Sequence, residues 1–204
     1  QNEKRSIVSI NEALRKIPFK PDFIILHWIS RFINARNIYQ LRKKAKCPII
    51  WYGMDMAPLT GGCHYSWNCA GYTNSCGNCP ALYSSDSFDQ SSKNLKIKDR
   101  YVSKAEVSYV APNSFTLDQA SKSLLFSGGD IEKIFLSVNE KLFKPINKAL
   151  AKKELGIDEN RFVILIGASN INEPRKGWKY MAEALKILER TLDQSEQDKI
   201  LILT

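Results

Sequence analysis

Ile49-Ile50-Trp51-Tyr52-Gly53-Met54-Asp55-Met56-Ala57-Pro58-Leu59-Thr60-Gly61-Gly62-Cys63-His64-Tyr65 is the stretch from which the rest of the chain can be placed. It opens as an apolar strand over residues 49–51 and leaves that strand through Gly53-Met54-Asp55-Met56. Pro58, Gly61 and Gly62 then forbid regular structure. Cys63, Cys69, Cys76 and Cys79 follow, with His64 beside the first, so four of the five cysteines fall in one loop. A loop this long inside a compact domain is usually functional or clipped together.

Working outward from that strand, the segments before it alternate. Ile7, Ile10, Leu14 and Ile17 recur at helical spacing and predict an amphipathic helix over residues 5–17, stopped by Pro18 and Pro21. Residues 23–26 are a continuous apolar run of strand length, suited to burial on both faces. His27 and Trp28 sit at its carboxyl end. Ile38, Leu41 and Ala45 mark a second helix whose basic last turn complements the helix dipole. Helix, strand, helix, strand predicts an α/β protein with a parallel sheet. In such sheets ligands gather at the carboxyl ends of strands. His27 and Asp55 both fall at that edge and are candidate site residues; as the bland alternative, Asp55 is a turn former and His27 a satisfied strand-end histidine.

Beyond the cysteine loop, Ser84-Ser85-Asp86-Ser87 starts a surface helix or extended arm over residues 88–104, rich in basic residues. Residues 107–111 and 131–136 read as strands, with a capped helix from Asn113 between them, ended by Gly128-Gly129. Phe143-Lys144-Pro145 crosses into a second unit. There a short helix over 148–155, a buried strand over 162–167, a polar loop over 168–174, a helix opened by Arg175-Lys176-Gly177 and a strand over 200–203 make another β-α-β unit. A strand running into a loop and then a helix opened by cations can hold phosphate, because the helix N-terminus offers free N–H groups. A solvated basic turn is the alternative.

The 204 residues are 44% hydrophobic and 25% charged, an ordinary globular composition. No run is long and apolar enough to span a bilayer and no signal-peptide pattern opens the chain, so the expectation is a cytoplasmic protein. The net charge of +9 attracts phosphates of any kind without choosing among nucleotides, nucleic acid and anionic headgroups. The spacing Cys-x5-Cys-x6-Cys-x2-Cys fits a structural zinc ion held by Cys63, Cys69, Cys76 and Cys79, with His64 able to replace one of them. Two disulfides or free buried thiols fit the same spacing. Both ends read as cut from a longer protein.

Taken with Cys76-Gly77-Asn78-Cys79-Pro80, the run from Trp51 to Tyr65 resembles the bacterial family-4 glycosyltransferases of polysaccharide biosynthesis. These carry a Trp-Thr-Leu-His-Asp-Met-x-Pro-x-Thr-Gly-Gly-Cys-His-Tyr stretch and a cysteine-rich loop. Pro21-Asp22 through Trp28, Phe143-Lys144-Pro145 and Glu173-Pro174-Arg175-Lys176-Gly177 are similar to further family segments. The resemblance implies a GT-B architecture of two Rossmann-like units, both incomplete: an acceptor domain over 1–145 with its cysteine-rich loop at 61–80, and the start of a nucleotide-sugar donor domain over 146–204. It implies retaining transfer from a nucleotide-diphosphate sugar to a saccharide or lipid-linked acceptor, with no obligatory catalytic metal. His27 and Asp55 would serve catalysis, and Lys176, Arg175, Ser169, Gly61 and Gly62 the donor. The expected place is the cytoplasm, with peripheral contact at the inner membrane. Where the family has the histidine of its His-Asp pair, this chain has Met54. The rival readings are a sugar-nucleotide binder without turnover and a basic, zinc-clipped nucleic-acid-binding module. Against the latter, aromatic and basic residues do not interleave as a stacking surface requires, so no nucleic-acid partner is expected.

Overall fold

In the computed structural model Glu3 and residues 8–204 are described. The chain divides into two compact units, Gln1–Ser137 and Val138–Thr204. The first is built on strands Ile24–Leu26 (β1), Ile49–Tyr52 (β2), Val107–Ala111 (β3) and Ile131–Lys133 (β4). They form one sheet in the order β1-β2-β3-β4, every neighbouring pair parallel. Register places Leu26 beside Trp51, Trp51 beside Tyr109 and Tyr109 beside Ile131. The carboxyl ends of β1 and β2 therefore reach the same edge, as the alternation of segments predicts.

Helices Ile10–Arg15 (α1), Ala35–Ala45 (α2), Gln90–Ala105 (α3) and Ser114–Lys122 (α4) accompany the sheet. α2 packs on α3, and α4 on β3 and β4. The core gathers Leu26, Ile38, Ile49, Trp51, Leu95, Val102 and Tyr109, all nearly or fully inaccessible. These residues lie on one side of the strands. Ile25 on β1 and its neighbour Phe23 stay largely exposed, so β1 is not buried on both faces as its apolar run suggests. α1 is shorter than the helix expected over 5–17, and Ile7 lies outside the described residues. β4 stops at Lys133, short of the expected Leu136.

α3 departs most from expectation. It is no solvated arm: Ser91, Ser92, Asn94, Leu95, Lys98, Val102 and Ala105 are all buried along it. Its start is fixed by Asp89. The Asp89 carboxylate accepts from the N–H of Ser91 (2.8 Å) and Ser92 (3.2 Å), from Ser91 Oγ (2.6 Å) and from the N–H of Cys79 (2.9 Å). One side chain thus caps the helix and ties the cysteine loop to it. Burial alone would raise the Asp89 pKa, but the hydrogen bonds from Ser91, Cys79 and Ser92 outweigh it and hold the carboxyl at about 2.

The pH dependence follows from that depression. The unfolded chain takes up this proton near the ordinary carboxylate value, the folded chain only near 2, so the stabilisation is complete above about pH 4 and is lost as pH falls towards 2. Thermal melts are expected to show a falling midpoint across that window, and Asp89→Asn should flatten this limb. Asp89→Ala should cost roughly 0.5–2 kcal/mol at neutral pH. An acid limb of the same slope in Asp89→Asn would refute the assignment.

The second unit pairs Phe162–Leu165 (β5) in parallel with Ile200–Leu203 (β6), with helices Lys148–Glu154 (α5), Trp178–Thr191 (α6) and Gln194–Gln197 (α7). Trp178, Met181, Leu185 and Leu188 form the half-buried stripe of α6, as their spacing predicts. No helix among the described residues is long and apolar enough to cross a membrane.

Candidate functional site

The loop after β2 folds back on itself. Its first contact is backbone: the Met56 N–H donates to the His64 carbonyl at 3.0 Å. Within the bracket, Thr60 Oγ1 donates to the Cys63 carbonyl (2.7 Å) and accepts from the Gly62 N–H (3.1 Å). The turn residues that forbid regular structure thus return the chain, and they set His64 beside Asp55. Asp55 Oδ2 lies 2.5 Å from His64 Nδ1, and Asp55 Oδ1 accepts from the Ala57 N–H at 2.8 Å. A carboxylate only accepts, so Nδ1 carries the proton.

Around this pair stand the aromatic residues of the strand ends. Trp28 meets the His64 ring edge-on at 6.2 Å between centroids, and His27 lies 5.6 Å from Tyr52. The His27 carbonyl accepts from Trp51 Nε1 at 3.3 Å, which fixes the chain leaving β1 to the core of β2. His27 and Asp55 therefore belong to one edge, joined through Trp28 and His64. His27 itself is exposed and faces Tyr52, whereas Asp55 is half-buried and committed. Beneath Gly53, the Tyr109 hydroxyl is fully buried and has no hydrogen-bond partner among the described residues. Burial, then the charge of Asp55, pushes its pKa well above the ordinary phenol value.

Under the loop lies a residue that the sequence did not single out. Lys98 of α3 is fully inaccessible, and its ammonium donates to the carbonyls of Ala57 (2.6 Å) and Thr60 (2.7 Å). Glu3 Oε1 stands 3.8 Å away, and Glu3 Oε2 accepts from the Ala35 N–H at 2.8 Å. Burial pushes the Lys98 pKa down, and the Glu3 carboxylate pulls it back up.

Gly61 and Gly62, expected at the donor, lie in this same turn. Gly61 is buried against the first turn of α3, and its carbonyl accepts from Asn94 Nδ2 at 2.9 Å. Its requirement for glycine is met by that approach before any ligand is considered.

All five cysteines are free thiols. Burial and then the nearby Cys79, Cys76 and Cys69 raise the Cys63 pKa, and the Cys63 and Cys79 thiols share a hydrogen bond. Cys76, Gly77 and Asn78 adopt left-handed φ values of 54°, 91° and 45°, a tight knuckle between the last two cysteines. The four sulfurs are neighbours without converging: among the described residues no group of three or more His, Cys, Asp or Glu is placed to hold a metal ion.

In the second unit β5 leads into the exposed loop containing Ser169, then a 3-10 turn over Pro174–Lys176. Gly177, at φ 73°, separates that turn from α6, so the basic residues precede the helix rather than open it. Arg175 is paired with Glu173. Lys176 is exposed and has no side-chain partner among the described residues. It borders a cavity of about 510 Å³ shared with Gly167, Ala168, Gly177 and Trp178. No protein-family model matches the chain, and no curated protein matches it.

Proposed function

We propose that the protein is a glycosyltransferase that moves a sugar from a nucleotide-diphosphate donor to a saccharide or lipid-linked acceptor in polysaccharide biosynthesis. The observation that carries this reading is the turn of the second unit. An uncommitted lysine stands beside a cavity, between a strand end and the start of α6, whose first N–H groups have no intrahelical partners. A leaving diphosphate gains charge in the transition state, and a fixed cation with a helix N-terminus stabilises that charge. Lys176 holds the diphosphate; Arg175, neutralised by Glu173, shapes the turn, and Ser169 offers a hydroxyl from the loop. The first unit supplies the acceptor side through the carboxyl edge of its sheet. On this reading the two units are the Rossmann-like parts of a GT-B fold, transfer is retaining, no catalytic metal is required, and the protein works in the cytoplasm at the inner membrane.

Lys176→Ala is expected to weaken UDP and GDP binding by about one to two orders of magnitude, since charge-assisted hydrogen bonds contribute roughly 1.5–3 kcal/mol each. Uridine and guanosine should bind parent and variant alike. Equal diphosphate affinity in isothermal titration would remove Lys176 from the site. Met54, where the family has a histidine, favours one rival, a binder without turnover; sugar transfer to any acceptor decides against it.

The same reading gives the cysteine loop a structural zinc ion. Its support is four unpaired thiols in one neighbourhood and the compact knuckle at Cys76–Cys79. The sulfurs would have to turn inward to close on the ion. Elemental analysis of purified protein is expected to give about one zinc per chain, lost on Cys79→Ser. Metal-free protein whose four thiols all react with Ellman's reagent would exclude it.

A further inference from the structure

Asp55 spends both carboxylate oxygens inside the protein, on the Ala57 N–H and on His64 Nδ1. It is therefore poorly placed to bind a ligand itself. Its effect is on His64: by engaging Nδ1 it holds the imidazole in a defined orientation and leaves Nε2 as the ring nitrogen not used by Asp55. The His64 side chain is 36% exposed, so the ring is within reach of solutes. Beside it stands Trp28, 70% exposed, with its ring at 74° to the imidazole. An apolar plate with a fixed polar atom at its rim matches one chemistry closely. A pyranose has a flat face of C–H groups and an edge of hydroxyls, and it stacks on aromatic rings while its edge hydrogen-bonds outward. The adjacent carboxylate makes the same place unfavourable for a phosphate.

We propose that Trp28 and His64 form a saccharide subsite, in which a pyranose ring lies on the Trp28 indole and one of its hydroxyls hydrogen-bonds to His64 Nε2. Asp55 is the positioning residue that sets the imidazole. The proposal rests on the transferase reading for its role, the acceptor end of the reaction, and names the acceptor's contacting unit as a neutral hexopyranose.

The test is direct binding followed by NMR on the whole chain, with methyl glucoside, galactoside, mannoside and N-acetylglucosaminide as probes and UDP as a separate probe. At least one glycoside is expected to shift the Trp28 indole N–H and the His64 ring resonances saturably. Trp28→Ala and His64→Ala should each weaken that binding by about tenfold, with Trp28→Phe recovering most of it. Trp28 is solvent-facing, so its removal leaves the fold intact. Asp55→Asn should shift the His64 ¹⁵N pattern away from the Nδ1–H tautomer, which a purely structural role would not do. A glycoside that binds without touching Trp28 or His64 overturns the subsite. So does the failure of every glycoside while UDP still binds at Lys176, which leaves the transferase reading standing. A glycoside on Trp28 with no UDP binding anywhere supports the subsite and removes the transferase reading instead.

Discussion

Alanine at position 98 is expected to destabilise the protein by about 3–5 kcal/mol and to lower its melting midpoint on the order of 10 °C. Lys98 is wholly inside, so its removal exposes nothing to water that could take its place. Three separate deficits appear at once. The carbonyls of Ala57 and Thr60 lose the ammonium that donates to both of them. Glu3, also buried, loses the cation facing its Oε1. The lysine stem leaves a cavity between α3 and the loop. Orphaned buried carbonyls each cost roughly 1–3 kcal/mol, and an unpaired buried carboxylate costs more unless it takes a proton. Lys98→Met refills the volume and should recover only part of the loss. A midpoint within about 2 °C of the parent, by circular dichroism, would show that the loop does not depend on this lysine.

The second large effect is expected from Gly61→Ala. A Cβ built there falls 2.1 Å from the Ser91 carbonyl oxygen and 2.7 Å from its carbon. Those are backbone atoms of the first turn of α3, so no rotamer relieves the clash. Either the Thr60–Cys63 turn or the helix start must move, and either movement breaks the Asn94–Gly61 hydrogen bond. The cost is expected at about 3 kcal/mol or more, the upper range for overpacking. Gly129→Ala is the control, because its Cβ meets nothing closer than the Phe126 carbonyl at 3.4 Å. It should stay within about 0.5 kcal/mol of the parent. Chemical denaturation of the two variants side by side measures both; equal stability would mean that the loop can yield at Gly61.

These two positions also show what could and could not be read in the amino-acid order. β1, β2 and β3 announce themselves as apolar runs between turn residues, and their sequential parallel pairing follows from the helices between them. The edge that carries His27 and Asp55 follows from the same alternation. What escaped was the identity of partners. Residues 88–104 look solvated because they are basic, yet Lys98 faces inward; composition does not say which lysine has two carbonyls waiting for it. In the sequence His64 reads only as a spare metal ligand beside Cys63. Its pairing with Asp55 depends on Pro58, Gly61 and Gly62 turning the chain back, a three-dimensional return that no fixed spacing encodes. Gly61 carries a signal that sequence cannot separate: glycine for a ligand and glycine for a neighbouring helix look alike. In the second unit, the helix start is displaced by Gly177, because a left-handed residue after a proline turn ends one element and begins another.

The order of the strands in the first sheet is also the order in which they are made. Each strand docks beside the one synthesised just before it, so the sheet can grow at one edge during translation without waiting for a distant partner. The loop over residues 53–82 does have to wait. Among its anchors are Asp89, Asn94 and Lys98, all of which leave the ribosome after it. Until α3 emerges, four thiols sit on a tether with nothing beneath them. In the interval between the completion of β2 and the arrival of α3, these thiols lack the support that α3 gives them in the folded protein.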